Sequence, residues 1–261
     1  MRTVLTIAGS DPTGGAGLQA DLQVLRARGV HGAGVVTALT VQDTGRVHQS
    51  LPAFPNVVLD QIRILLRDVR PAAVKLGMLA TDDIVRNVLI GLGELDPAVP
   101  LVLDPVLEAS DGTPLLERRA WQSLGALIER ATLVTPNLAE AEALTGVATA
   151  STAGCERAAR ELIERLGARA VLIKGGHRSG APDDLLALDE ESGVALHWLE
   201  GERIDAGPVH GTGCALSAVI AAELAKGASL YDAVMAGRQF VVEGLRTAHA
   251  PGRGARLLGF T

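Results

Sequence analysis

The residue types best suited to chemistry in this chain stand in short polar stretches between apolar runs. The stretch His210-Gly211-Thr212-Gly213-Cys214 leads directly into Ala-Leu-Ser-Ala-Val-Ile-Ala-Ala-Glu-Leu-Ala-Lys-Gly. Leu216, Val219, Ile220 and Leu224 recur at helical spacing, and Lys226-Gly227 supplies a stop. A glycine-rich turn that opens a helix presents unpaired N–H groups and the positive end of the helix dipole. That is an anion site, and phosphate is its usual occupant. Cys214 falls in the first turn, where the same dipole is expected to lower the thiol pKa and favour the thiolate. The bland alternative is a packed glycine turn around a buried cysteine.

Four further stretches carry candidate chemistry. Lys174-Gly175-Gly176-His177 sets a cation beside two glycines, which suits phosphate, or else is a solvated lysine at a turn. Asn137 and Glu140, as Asn-x-x-Glu, either hold a hydrated magnesium through one carboxylate or form a helix cap with a first-turn acid. Asp104, before Pro105, is a second carboxylate near such a metal or a turn former. Gln42 carries donor and acceptor on one planar group and suits the edge of a heterocycle, or is an ordinary surface glutamine. The loop Ala8–Gly17 is glycine-rich, but it lacks the Gly-Lys-Ser/Thr ending of a P-loop and the Gly-x-Gly-x-x-Gly spacing of a dinucleotide site.

These residues need a scaffold that brings strand ends together. Val4–Ala8, Gly34–Leu39, Ala73–Leu76, Leu101–Leu103, Leu133-Val134 and Val171–Ile173 read as strands. Most are short, continuous apolar runs. Helices are predicted around Leu18–Leu25, Val58–Leu66, Ile84–Leu89, Trp121–Ile128, 138–144, 152–166 and Ala233–Ala248. Thr40 to Pro55 reads as a loop or short strands, and 184–205 as antiparallel strands around Glu191-Ser192-Gly193. Strand–helix alternation of this kind predicts an α/β fold, with a mostly parallel central sheet covered by helices on both faces. No linker or repeat divides the chain, so one domain is expected over 1–261. In such sheets ligands bind beyond the carboxyl ends of the strands. Gly9-Ser10-Asp11, Asp104, Asn137 and Lys174 all follow predicted strands.

Composition narrows the function classes. Of 261 residues 48% are hydrophobic but only 2% aromatic, so a base-stacking nucleic-acid surface is not expected. The net charge of -6 also disfavours phosphate-backbone binding. Cys155 and Cys214 are too far apart and too few for a zinc pattern or a disulfide framework. No apolar run approaches the roughly 20 residues of a membrane span, and the N-terminus reads as a strand rather than a leader. A soluble cytoplasmic protein without membrane or nucleic-acid partners is expected.

Taken together, TIAGSDPTGGAGLQADL, TALTVQDT, KLGML, VLDPV, LVTPNLAEAEALTG, VLIKGGH and HGTGCALSAVIAAELAKG, in that order, resemble the hydroxymethylpyrimidine and phosphomethylpyrimidine kinases of thiamine synthesis. These are members of the ribokinase-like superfamily, and the resemblance runs from Leu5 to about Ala248. It implies ATP as co-substrate, Mg2+ as cofactor and two successive phosphorylations of a small pyrimidine alcohol; a homodimer is expected. It implies that Gly9, Asp21, Gln42 and Met78 surround the pyrimidine, and that Gly211 and Gly213 form the anion hole. Cys214 takes the place of the aspartate base of the sugar kinases, while Asn137 and Glu140 match the magnesium–phosphate motif. Lys174 matches a phosphate-side lysine, Thr212 lies among the nucleotide contacts, and Arg238 stands where relatives often carry a lysine near the nucleotide. The segment Asp205–Val209 departs from the family's polar pattern, Asp43 replaces an asparagine, and the C-terminal GRGARLLGF lacks the usual Pro-Leu-Asn-His ending. Pyridoxal kinase of the same superfamily is the alternative within kinases, and a noncatalytic small-molecule sensor the alternative outside them.

Overall fold

The computed structural model describes residues 1–176, 178 and 180–260. His177, the last residue of the predicted Lys174 stretch, lies outside the described residues. The chain opens with β1 (Thr3–Ser10), α1 (Gly17–Ala27), β2 (His31–Gln42), β3 (Val47–Pro52), α2 (Pro55–Asp68) and β4 (Ala73–Leu76). It continues through α3 (Asp82–Leu92), β5 (Leu101–Leu103), α4 (Ala120–Arg130), β6 (Leu133–Val134), α5 (Leu138–Thr145), α6 (Thr152–Glu164) and β7 (Ala170–Ile173). The hairpin β8 (Asp184–Glu190) and β9 (Gly193–Leu199), then β10 (Val209–His210), α7 (Thr212–Lys226), α8 (Leu230–Arg246) and β11 (Arg256–Leu257), complete it.

One sheet holds nine strands in the order β3-β2-β1-β4-β5-β6-β7-β8-β9. The inner run from β2 to β7 is parallel. Antiparallel partners close it at either edge, β3 beside β2 and the β8–β9 hairpin beside β7. The expected α/β fold with a mostly parallel sheet is therefore the observed one. Side chains alternate across the sheet plane. Leu5, Ile7 and Leu76 pack with α2, α3, α4 and α6 on one face, whereas Val4, Val102, Leu133 and Leu172 meet α1, α7 and α8 on the other.

Parallel pairing puts the ends of β1, β2, β5, β6 and β7 along one edge. Beyond β6 and β7 the chains stay side by side, with Lys174 N–H donating to Pro136 O at 2.9 Å. Two features differ from the sequence reading. β2 runs from His31 to Gln42 rather than Gly34 to Leu39, because β1 pairs with its start, Thr3 opposite His31, and β3 with its end, Leu39 opposite Leu51 and Gln42 opposite Val47. The pairing supplies order that the polar 40–55 segment does not advertise. The second feature is the parallel pair β10–β11, Val209 opposite Arg256, whose strands are too short to show periodicity.

Candidate active site

The anion end is built by close backbone approach. Gly211 caps α7 at φ +84°, and a Cβ there would stand 1.7 Å from Gly15 O. Only glycine fits both the left-handed conformation and the contact. No side chain caps α7, so its first-turn N–H groups, including those of Thr212 and Gly213, remain for a ligand. The expected lowering of the Cys214 pKa is not what the structure gives. Burial pushes the thiol up, Asp21 and Asp104 add to this, and Lys75 and Gly17 only partly oppose it, leaving it at about 11. Cys214 is a thiol in the free protein at neutral pH.

Facing this helix start is a cation between two carboxylates. A Cβ on Gly213 would lie 3.1 Å from Lys174 Nζ and 3.6 Å from Asp104 Oδ2. Lys174 donates to Asp104 Oδ1 at 2.8 Å and stands 3.9 Å from Glu140 Oε2. Burial alone would lower the Lys174 pKa, but Asp104 and Glu140 raise it overall. Asp104 also accepts from Thr135 Oγ1 at 3.2 Å. Asn137 and Glu140 form a full capping box: Glu140 N–H donates to Asn137 Oδ1 at 2.8 Å and Asn137 N–H to Glu140 Oε2 at 2.7 Å. The helix-cap reading of this pair is thus present in the geometry, and the Asn137 side-chain oxygen is committed to it. Burial raises the Glu140 carboxyl to about 7, Lys174 opposing and Asp104 reinforcing.

A carboxyl short of positive charge suits a further cation. Glu140 and Asp104 fit a hydrated magnesium whose remaining ligands are water and phosphate oxygens, since magnesium seldom takes an all-protein cage. Among the described residues no cluster of three acidic, histidine or cysteine side chains offers such a cage. Glu140→Gln tests both aspects. A folded-state pKa raised from 4.5 to about 7 means that this group favours folding below 4.5 and loses that contribution as pH rises through 7. Gln keeps the capping box and removes the buried charge. The variant is expected to gain about 1–3 kcal/mol of stability at pH 8 and nothing near pH 4, and to need about tenfold more magnesium for half-maximal activity. Superimposable magnesium curves would leave Glu140 a capping residue only.

On the ring side, Gly9 and Met78 meet: a Cβ on Gly9 would stand 2.7 Å from Met78 Sδ. Gln42 lies at the end of β2, beside His210. Asp21, expected around the pyrimidine, is fully buried beneath the site. Its carboxylate accepts from Lys75 Nζ at 2.9 and 2.8 Å and from Thr6 Oγ1 at 2.6 Å, so it serves Lys75 rather than a ligand. Arg238 donates to Asp184 Oδ2, Leu199 O and Glu200 O, each at 2.8 Å. Asp184 in turn accepts from Gly175 N–H at 2.7 Å, so Arg238 anchors the loop that carries Lys174. Sequence reasoning missed Lys75, although a lysine within the buried run Ala73–Leu76 breaks the local apolar rule, as functional sites do. Asp11 and His210 stand in candidate stretches of the sequence, but sequence reasoning did not foresee their pairing across 199 positions.

A family model described as phosphomethylpyrimidine kinase matches residues 11–258. A hydroxymethylpyrimidine/phosphomethylpyrimidine kinase of Mycobacterium tuberculosis is 43% identical over 255 residues, spanning 96% of this chain and 90% of that protein. The crystal structure of a phosphomethylpyrimidine kinase from Clostridium difficile overlays with a TM-score of 0.81 at 34% identity, covering 93% of this chain and 99% of the other. An ADP complex of Bacillus subtilis pyridoxal kinase overlays with a TM-score of 0.88 at 31% identity, covering 100% and 97%. With glycine turn, lysine and carboxylates gathered at one strand edge, and with matches over nearly its whole length, the chain is a kinase of the ribokinase-like fold and belongs to the phosphomethylpyrimidine kinase family.

Proposed function

We propose that the chain, acting as one kinase domain over residues 1–261, transfers the γ-phosphoryl of ATP to the hydroxymethyl oxygen of 4-amino-5-hydroxymethyl-2-methylpyrimidine, and then a second phosphoryl to the monophosphate, for thiamine biosynthesis. The observation that carries this is the opposition of the uncapped α7 N-terminus to Lys174 and Asp104. Phosphoryl transfer asks mainly for positioning and charge neutralisation. The Gly211–Cys214 N–H groups hold the moving phosphoryl. Lys174 and the Thr212 backbone neutralise nucleotide phosphates. The hydroxymethyl oxygen bonds to phosphorus as the bond to the ADP oxygen breaks, and the hydroxyl proton passes to Cys214 Sγ in those molecules whose thiol is ionised, leaving the neutral thiol. Magnesium at Asp104 and Glu140 would supply charge neutralisation to the phosphates.

Gln42 reads the ring. An aminopyrimidine presents an amine donor beside a ring-nitrogen acceptor, the complement of one amide group. Gly9 and Met78 form the apolar floor. Pyridoxal lacks that edge and leaves part of the amide unpaired, at about 1–3 kcal/mol. The pyridoxal kinase overlay favours the second reading, but at 31% identity against 43% for the pyrimidine kinase. Competition kinetics decide: the aminopyrimidine alcohol is expected to exceed pyridoxal by at least about tenfold in kcat/KM, and equal or better use of pyridoxal would make the second reading the correct one.

A homodimer completes the proposal. Leu39, Leu51 and Val41 share one exposed face of the β2–β3 hairpin, beside exposed Phe54 and Val57. Such a patch on a lone protomer marks an interaction surface. Sedimentation at micromolar concentration is expected to give twice the chain mass; the chain mass alone would refute it. Cytoplasmic location is supported by two free, separated cysteines, and no described helix is long and apolar enough to cross a membrane.

A further inference from the structure

Three side chains outside the transfer chemistry meet at one ring nitrogen. His210 Nε2 lies 3.1 Å from Asp11 Oδ2 and 3.0 Å from the side-chain nitrogen assigned to Gln42. In a neutral imidazole this nitrogen is either donor or acceptor, so each contact constrains the other. Asp11 is an acceptor: it takes the Thr13 N–H at 2.8 Å, the Thr13 hydroxyl at 2.9 Å and the Ala16 N–H at 2.9 Å. Burial pushes its carboxyl up, but the bonds from His210 and Thr13 outweigh this and hold it below the ordinary range. An ionised carboxylate therefore requires the hydrogen on His210 Nε2.

That single N–H is shared between the Asp11 carboxylate and Gln42, so it cannot face an amide NH2 and must meet the amide oxygen. The two ends of an amide have the same shape, and the network decides between them. With its oxygen turned to His210, Gln42 brings its NH2 to Thr40 Oγ1, 3.2 Å away. Thr40 is free to accept, because its own hydrogen goes to Ser10 O at 2.9 Å. Every donor then meets an acceptor. The opposite orientation sets a bare nitrogen against a carboxylate. His210 is itself fixed, by β10–β11 pairing with Leu257 and by Gly15, where a Cβ would come within 3.1 Å of the ring.

We propose that His210, held by Asp11, is the positioning residue that fixes which end of the Gln42 amide each half of the substrate edge meets. This rests on the reading of Gln42 given above. The fixed amide keeps one oxygen lone pair for an exocyclic amine and one N–H for the adjacent ring nitrogen. The site thereby demands a heterocycle with that donor–acceptor order. A freely flipping amide would serve the reversed order as well, and discrimination would fall.

The test compares wild type, His210→Phe, His210→Gln, Gln42→Leu and the double variant Gln42→Leu/His210→Phe. The readouts are kcat and KM for the aminopyrimidine alcohol and for pyridoxal, and calorimetric binding of the alcohol without nucleotide. Phe keeps a ring and removes the donor; Gln returns an N–H near the Nε2 position. The specificity ratio is expected to fall about tenfold in His210→Phe, through aminopyrimidine KM and Kd more than kcat. His210→Gln is expected to restore it to within about threefold. In the Gln42→Leu background His210→Phe should cost nothing further, because no amide is left to hold. If His210→Phe melts early, His210→Asn replaces it, its N–H lying near Nδ1 and out of reach of Gln42, with the same fall expected. An unchanged ratio, or Gln42 and His210 effects that multiply, would overturn the inference alone. A wild type that prefers pyridoxal would overturn it together with the reading of Gln42.

Discussion

Cys214→Ala is expected to lose turnover by about 10²-fold or more while ATP and pyrimidine still bind, the usual size of a lost general base. The thiol sits in the first turn of α7, opposite Lys174 and Asp104, where the substrate hydroxyl must arrive for transfer. Its direction of titration sharpens the expectation. Burial, reinforced by Asp21 and Asp104, leaves it at about 11, so it is mostly protonated at pH 7. A base with a raised pKa gains activity as pH rises towards that value. With saturating magnesium, the wild-type rate should climb by up to about tenfold per pH unit between pH 7 and 9, and Cys214→Ala should lose that slope. Turnover near the wild-type level in the purified variant would remove Cys214 from proton transfer. The Gly211–Gly213 N–H groups would then be the working part of the turn.

How much of this was legible in the sequence depends on the range of each interaction. The strands Leu101–Leu103 and Leu133-Val134 announce themselves as apolar runs, and parallel topology then puts Asp104, Asn137 and Lys174 on one edge. Gly211 and Gly227 mark both ends of α7, at φ +84° and +92°, because local stereochemistry alone requires glycine there. The Asn137–Glu140 capping box is likewise local. The unread features depend on partners distant in the chain. Arg238 turns from the nucleotide side to Asp184, 54 residues away. Asp21 is withdrawn from the ring by Lys75, also 54 residues away. The dipole effect expected at Cys214 is local, whereas burial beside Lys75, Asp21 and Asp104 is a tertiary quantity, and the thiol is raised rather than lowered.

Lys75→Met is expected to cost about 3–5 kcal/mol of stability, because it strands a buried carboxylate. Lys75 and Asp21 are both inaccessible to solvent, and the ammonium bridges both carboxylate oxygens while Thr6 donates a third hydrogen bond. Burial disfavours the lysine charge, but Asp21, joined by Cys214 and Asp104, more than offsets this and raises its pKa overall. Burial still raises the Asp21 pKa overall, with Lys75 and Thr6 only partly opposing it, so the carboxylate depends on this one cation. Adding Asp21→Asn to Lys75→Met removes the stranded charge, and most of the loss should return, since a buried pair replaced by neutral groups is often close to neutral in energy. Urea unfolding of the two variants measures the difference. A loss below about 1 kcal/mol in the single variant would show that Asp21 already carries a proton and that the pair is a neutral hydrogen bond. Recovery of stability in the double variant without recovery of turnover would assign the pair its second task. Lys75 draws the Cys214 thiol downward more than Asp21 pushes it up, so a fold restored without both would hold a thiol harder to ionise at the start of α7.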